Sequence, residues 1–327
     1  SGGVEVFTGS TLNLGANMSL TGNMDLRDNS VLNMNNHPLS ANTVLLGWFD
    51  AAPTSISNRA AITAATLQVG NQSFDLNAAD AVNNYYLHNA TSTLNSNVQL
   101  LHLESASVAT TTAAGNVSGS VEVVSGSTLN LGADLNLTGN VDVRDPGSVL
   151  NANGYNITAS QILLGFFDQS AVAATNVGQI NTGTLSVDNG STMDIHGGVV
   201  NNVLSLTNNS VLTVHETSGT GLTLNGNLPT SLVIDPSHMD LIFDAAGWGF
   251  RWQDPAGGGN WVSTLNGMIA SGQITLSLPQ NGIYSVFDQG GYTYIATAVP
   301  EPESMMLAGM GCLVSIAAAA RRKLRRS

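Results

Sequence analysis

Residues 1–299 contain no lysine and only four arginines, Arg27, Arg59, Arg144 and Arg251, against 20 of the chain's 22 carboxylates, a formal charge of −16. Such a surface repels phosphate backbones and excludes nucleic-acid binding. It also has little affinity for anionic lipid. The single cysteine, Cys312, lies near the C-terminus, which leaves the rest of the chain without a disulfide or a cysteine-based metal site. A fold that needs no such staples fits an exported protein, without excluding a reducing compartment. Helical spacing is nearly absent, and so are an EF-hand run, a glycine/aspartate nonapeptide array, a zinc-binding histidine pair and a serine-hydrolase elbow. No metal and no cofactor is expected. The chain also opens without Met or a signal peptide: Ser1-Gly2-Gly3 leads straight into a strand pattern, and a processed or truncated start is expected.

What is present is repetition. Residues 4–50 align with residues 121–168 at 29 identities over 47 positions, with Pro146-Gly147 standing for Asn29. A fainter match continues, for instance Thr66-Leu67 with Thr184-Leu185, so each copy spans close to 118 residues. Inside each copy short alternating strands recur, such as Leu12-Asn13-Leu14, Leu32-Asn33-Met34 and Met193-Asp194-Ile195, with apolar residues two apart on one face. Corresponding leucines recur every 18–21 residues: 12 to 32, 129 to 150, 185 to 204 and 204 to 222. Gly, Asn and Ser fill the joints, as in Asp188-Asn189-Gly190-Ser191, where tight turns need φ > 0.

A short period, small-residue joints and missing helical spacing predict an all-β fold. It is expected to be a parallel β-helix, or solenoid, of about eleven coils. The rival arrangement is one antiparallel β-sandwich per copy, but the Asn-Gly hairpins it would use are sparse between these strands. The duplicated solenoid is expected over 1–228, with copies at about 4–115 and 121–228. From Leu228 onward Pro229, Pro236 and Pro255 interrupt the pattern, and Trp248, Trp252 and Trp261 cluster. A β-rich capping module is therefore expected over 229–298, covering an open edge that would otherwise invite aggregation.

Residues 299–327 are of a different kind. Pro300-Glu301-Pro302 disfavours helix. Ser304 to Ala320 then runs for 17 residues without a charge, about 26 Å as a helix and at the short end for a membrane span. Arg321, Arg322, Lys323, Arg325 and Arg326 follow and would stay cytoplasmic, placing the body on the far side. These three elements in this order resemble the PEP-CTERM sorting signal of bacterial exported proteins. The resemblance implies that Pro300, Glu301 and Pro302 are recognised by exosortase, a membrane enzyme. It further implies cleavage of an inner-membrane-anchored precursor and transfer to the cell surface or an extracellular polysaccharide matrix. An ordinary C-terminal anchor would give the same topology without cleavage. The repeated "GSTLNLGA" and "NNSVLTV" resemble coils of autotransporter-like β-helical surface proteins, which implies a structural, surface-exposed setting and no catalytic residue.

Candidate chemistry is sparse. Asp25-Leu26-Arg27-Asp28 and Asp142-Val143-Arg144-Asp145 are duplicated with the unit and read as solvated ion pairs at coil corners, with a cation or sugar-acid site as the functional alternative. Trp248, Trp252 and Trp261 read as a packed end cap, with a sugar-stacking platform as the alternative. Asp194-Ile195-His196 and His215-Glu216 are the groups that would serve acid–base chemistry, while His37, His88, His102 and His238 are isolated in the sequence. The expectation is an exported, non-enzymatic surface or matrix protein associated with polysaccharide. The alternative is a β-helix lyase or hydrolase using carboxylates around Asp194 and His215.

Overall fold

The structure, a computed structural model, describes residues 2–49, 52–167, 170–216, 220–243, 247–278 and 282–298. The expected apolar helix, Pro300-Glu301-Pro302 and the basic end lie outside the described residues. Strand residues alternate apolar and polar because each coil buries one side only, and the parallel pairings follow from that pattern. One inward column reads Val6, Leu26, Leu46, Val69, Leu87, Leu103, Val123, Val143, Leu164, Val187, Leu206 and Ile234, each in register with the next. Every member is essentially buried. Full burial of each such side chain stabilises the rod by about 1.5–3 kcal/mol.

The result is a β-solenoid whose inward column passes through twelve coils, roughly 50 Å long at about 4.8 Å per coil. Long strands build an 18-stranded sheet; short ones build a three-stranded and then a nine-stranded sheet. Bridges from Ser73 to Thr91 and from Leu76 to Leu94 lay the preceding segment alongside the first strand of the nine-stranded sheet. Within this column register partners sit 16 to 28 residues apart, as for Leu87 with Leu103 and Leu206 with Ile234, so coil length varies while the inward column does not. Of the sequence spacings, 12 to 32, 129 to 150 and 185 to 204 are true partners. Leu204 instead pairs with Leu232, because the strands Thr220–Leu224 and Leu232–Asp235 are separated by a loop holding the 3-10 turn Pro229–Ser231.

The corners explain the small-residue joints. Asp28-Asn29, Ser105-Ala106, Ser125-Gly126, Asn189-Gly190 and Asn208-Asn209 all hold consecutive left-handed residues. In each case the following serine donates its N–H back across the turn, as Ser127 does to Val124 O at 3.2 Å. Two left-handed residues in succession favour Asn and Gly, whose side chains tolerate φ > 0. The corner serines are buried and stitch neighbouring coils: Ser107 N–H donates to Ser127 Oγ and Gly126 N–H to Ser148 Oγ, both at 3.1 Å. On the surface, Asn33 Nδ2 donates to Asn13 Oδ1 and Asn58 Nδ2 to Asn33 Oδ1, a ladder like those of stacked identical strands.

Parallel coiling does not stop at Leu228. Leu232–Asp235, His238–Phe243 and Ile274–Ser277 extend the ladders in parallel. The direction changes only at Gly247–Gln253, which runs parallel to Thr220–Leu224 on one side and antiparallel to Tyr292–Ala298 on the other. Ile283–Gln289 completes the antiparallel edge. The cap thus begins later than the prolines suggest, because these prolines fall in the joints between strands, where no ladder N–H is needed. Trp252 and Trp261 stack at 4.2 Å and 10° inside this end. Their indole N–H groups donate to Gly226 O and Gln253 O at 2.6 and 2.8 Å. The helix Val262–Ala270 follows Trp261 and packs against Ile274–Ser277 and Ile283–Gln289, with Leu265 buried.

Candidate functional site

Outward positions of the long sheet carry the duplicated charges. Glu5 is in register with Asp25, and Asp25 with Leu45 on the next coil. Glu122, Asp142 and Leu163 repeat that column. Two residues past each aspartate stands an arginine, and four past each leucine a phenylalanine at the coil corner. The fold draws these into two grooves of the same composition. The first, of about 630 Å³, is lined by Glu5, Asn23, Asp25, Arg27, Leu45 and Phe49, among others. The second, of about 240 Å³, is lined by their repeat counterparts Glu122, Asn140, Asp142, Arg144, Leu163 and Phe167.

Within the first groove Arg27 Nε donates to Asp25 Oδ2 at 2.7 Å, and Nη2 bonds the same oxygen. The guanidinium lies 4.9 Å from the Phe49 ring centre. Asp25 itself is only 4 % exposed, so the pair is not the solvated one expected from the sequence. Its other oxygen, Oδ1, is buried without a hydrogen-bond partner among the described residues. Phe49 is 61 % exposed and Phe167 58 %. In the second groove Arg144 Nε approaches Asp142 Oδ2 at 3.4 Å and Nη2 approaches Glu122 Oε2 at 4.0 Å, with Phe167 5.7 Å away.

A strip of rings and charges connects the grooves along the rod axis. Trp48, next to Phe49, lies 6.5 Å from Tyr86 and 5.5 Å from His88, and Tyr86 lies 5.3 Å from His102. His88 Nδ1 meets Glu104 at 3.0 Å, and His102 Nδ1 meets Glu122 at 2.7 Å. Burial disfavours a charged His102, but the hydrogen bonds and charges of Glu122 and Glu104 outweigh it and raise its pKa. Glu122 is held below the usual carboxylate range by the hydrogen bond from His102, against burial, with help from the charges of His102 and Arg144. His88 and His102, isolated in the sequence, are therefore joined by the fold.

The remaining candidates fall elsewhere. On the short-strand sheet His215 Nε2 lies 3.0 Å from Asp194 Oδ1, and His196 stacks on His215 at 5.1 Å. Glu216 is buried and points away from them. Trp252 and Trp261 offer no ring face to solvent, because both complete the end cap. Trp248 is half-buried and sits 4.5 Å from the Arg251 guanidinium. Among the described residues no group of three or more His, Cys, Asp or Glu is arranged to hold a metal ion. Among them, too, no helix is long and apolar enough to cross a membrane.

Comparison with known proteins yields one match. Residues 298–326 match the PEP-CTERM protein-sorting motif. No curated protein and no solved structure matches the chain. The chain is thus an exported protein sorted to the surface, built as a β-solenoid with a PEP-CTERM motif. Such motifs are generally processed by exosortase, a membrane protein.

Proposed function

We propose that the protein is a non-enzymatic component of the cell surface or extracellular matrix, whose rod associates with polysaccharide. The observation that carries this reading is the union of a surface-sorting motif at residues 298–326 with a rod that twice presents the same groove of carboxylates, arginine and exposed phenylalanine. A solenoid suits the role because stability comes from contacts between adjacent coils, which frees the outer columns to vary. Exosortase is the processing partner in this reading, acting at Pro300-Glu301-Pro302 on a membrane-anchored precursor. Co-sedimentation of the secreted protein with the cell's own extracellular polysaccharide tests the association, and a protein found wholly in the polysaccharide-free fraction refutes it. Mass spectrometry of the surface form tests processing: loss of Arg321 to Arg326 is expected, and their retention points to an uncleaved anchor.

A second reading is favoured by one contact. The Asp194–His215 pair at 3.0 Å, with His196 stacked on it, has the make-up of an acid–base site. Reducing-end or elimination assays on acidic polysaccharides separate the two readings, and chain cleavage that disappears in His215→Ala would establish the enzyme.

A further inference from the structure

The two grooves and the strip between them belong together. From Glu5 to Glu122 the outward column runs through Asp25, Leu45, Gln68, Tyr86 and His102 in continuous register. That is six coil steps, about 29 Å at about 4.8 Å per coil. Both grooves therefore lie on one face, in line with the rod axis. Half-buried rings of Trp48, Tyr86 and His102 bridge the interval.

The chemistry of each groove selects its occupant. Two carboxylates against one arginine, on a body of strongly negative charge, repel an anionic chain. The arginine opposes a bare cation. Hydroxyl groups suit the set well: carboxylates accept from them, Arg27 donates to them, and Asn23 does both. Asp25 lines the groove, and its buried Oδ1 has no hydrogen-bond donor among the described residues. Phe49 and Phe167 supply exposed rings, each with an arginine over one side, against which the C–H side of a sugar ring can shed water.

We propose that the two grooves are twin subsites for one neutral, hydroxyl-rich polysaccharide chain lying along the rod axis across the strands, with Phe49 and Phe167 as its stacking platforms. The assignment rests on the polysaccharide reading above and adds the place, the orientation and the class of sugar. Two weak subsites engaging one chain act together: once one end is seated, the second meets the other groove at high effective concentration, and avidity exceeds either site by about 10²-fold or more.

The test is affinity electrophoresis of the full secreted chain in gels holding hydroxyethylcellulose, galactomannan or xylan, with alginate as the acidic counterpart. Retardation is expected in at least one neutral gel and not in alginate. Phe49→Ala or Phe167→Ala alone should weaken retardation about tenfold or more, and the double variant should abolish it. Both side chains are exposed, so the fold should survive, as circular dichroism would verify. Asp25→Asn, which preserves shape, provides an independent variant and should also weaken retardation. If the wild type is retarded and the double variant equally so, the groove assignment fails while polysaccharide association stands. Retardation by alginate alone overturns the neutral-chain assignment. No retardation in any gel, together with no co-sedimentation with native polysaccharide, overturns both.

Discussion

In the first copy the groove sits on the earliest described coils, and its arginine is committed to Asp25 and to the Phe49 ring. In the second copy the same residues lie mid-rod, and Arg144 also faces Glu122, which is tied to His102 on the preceding coil. Below the grooves the copies diverge further. In the first, Ile62 N–H donates to Asp80 Oδ1, and Asp80 also pairs with Arg59. In the second, Ile180 N–H donates to Gly197 O, and Gly198 follows with φ +129 where a Cβ would stand 2.1 Å from Ile180 O. The groove-lining residues recur while the means of closing the coil beneath them differ. A solenoid permits this because each coil answers only to its neighbours.

That contrast is broken most severely by removing the closures. Asp80 is buried and accepts from Ile62 N–H, Asn77 N–H and Arg59, and burial already lowers the pKa of Arg59 despite the nearby Asp80 charge. Asp80→Ala strands that guanidinium, and a loss of about 3–5 kcal/mol is expected in denaturant unfolding. Gly198→Ala attacks the second copy by sterics instead of charge; strain of about 1–3 kcal/mol is expected, with a lowered melting temperature and no change in ionic-strength dependence. If Asp80→Ala proved as mild as a surface substitution, the brace would have no structural role.

A finer contrast concerns the corner serines. Ser148 Oγ accepts from Gly126 N–H, whereas its counterpart Ser30 has a buried Oγ without a hydrogen-bond partner among the described residues. Ser148→Ala should cost about 1 kcal/mol. Ser30→Ala removes an unsatisfied group and should be neutral or slightly stabilising. Equal losses in thermal unfolding of the two variants would show that the corners are not stitched as the geometry indicates.

The coil and its inward column were legible because alternating Leu, Val, Ile and Met admit one register only; a slip by one residue would turn the whole set outward. The corners were legible because Asn-Gly-Ser joints announce left-handed pairs. The site was less so. Glu5 and Glu122 are identical in the aligned copies, as are Phe49 and Phe167, which was the available clue. Their convergence with Asp25 and Asp142, however, depends on which outward residues share a column. The link from His88 through Glu104 and His102 to Glu122 was hidden for the same reason. One coil step there is 16 residues and the next 20, so no fixed period aligns them. The late start of the cap was hidden because proline in a joint and proline ending the solenoid look alike in sequence.

The smallest effect sharpens the same comparison through pH. Among the described residues only the second groove has a histidine bonded to its glutamate, since His102 precedes Glu122 by one coil. His102 has a raised pKa, so its contribution is complete below the ordinary imidazole value and fades as pH climbs through the higher folded value. Glu122 has a lowered pKa, so its contribution is complete above the ordinary carboxylate value and fades as pH falls through the lower folded value. Both are intact together only in the mildly acidic window between them. The stability difference between wild type and His102→Gln should therefore peak there and shrink above neutrality, at about 1 kcal/mol or less for this half-buried pair. An NMR titration placing His102 at or below the ordinary imidazole value would remove the basis for the difference between the two grooves.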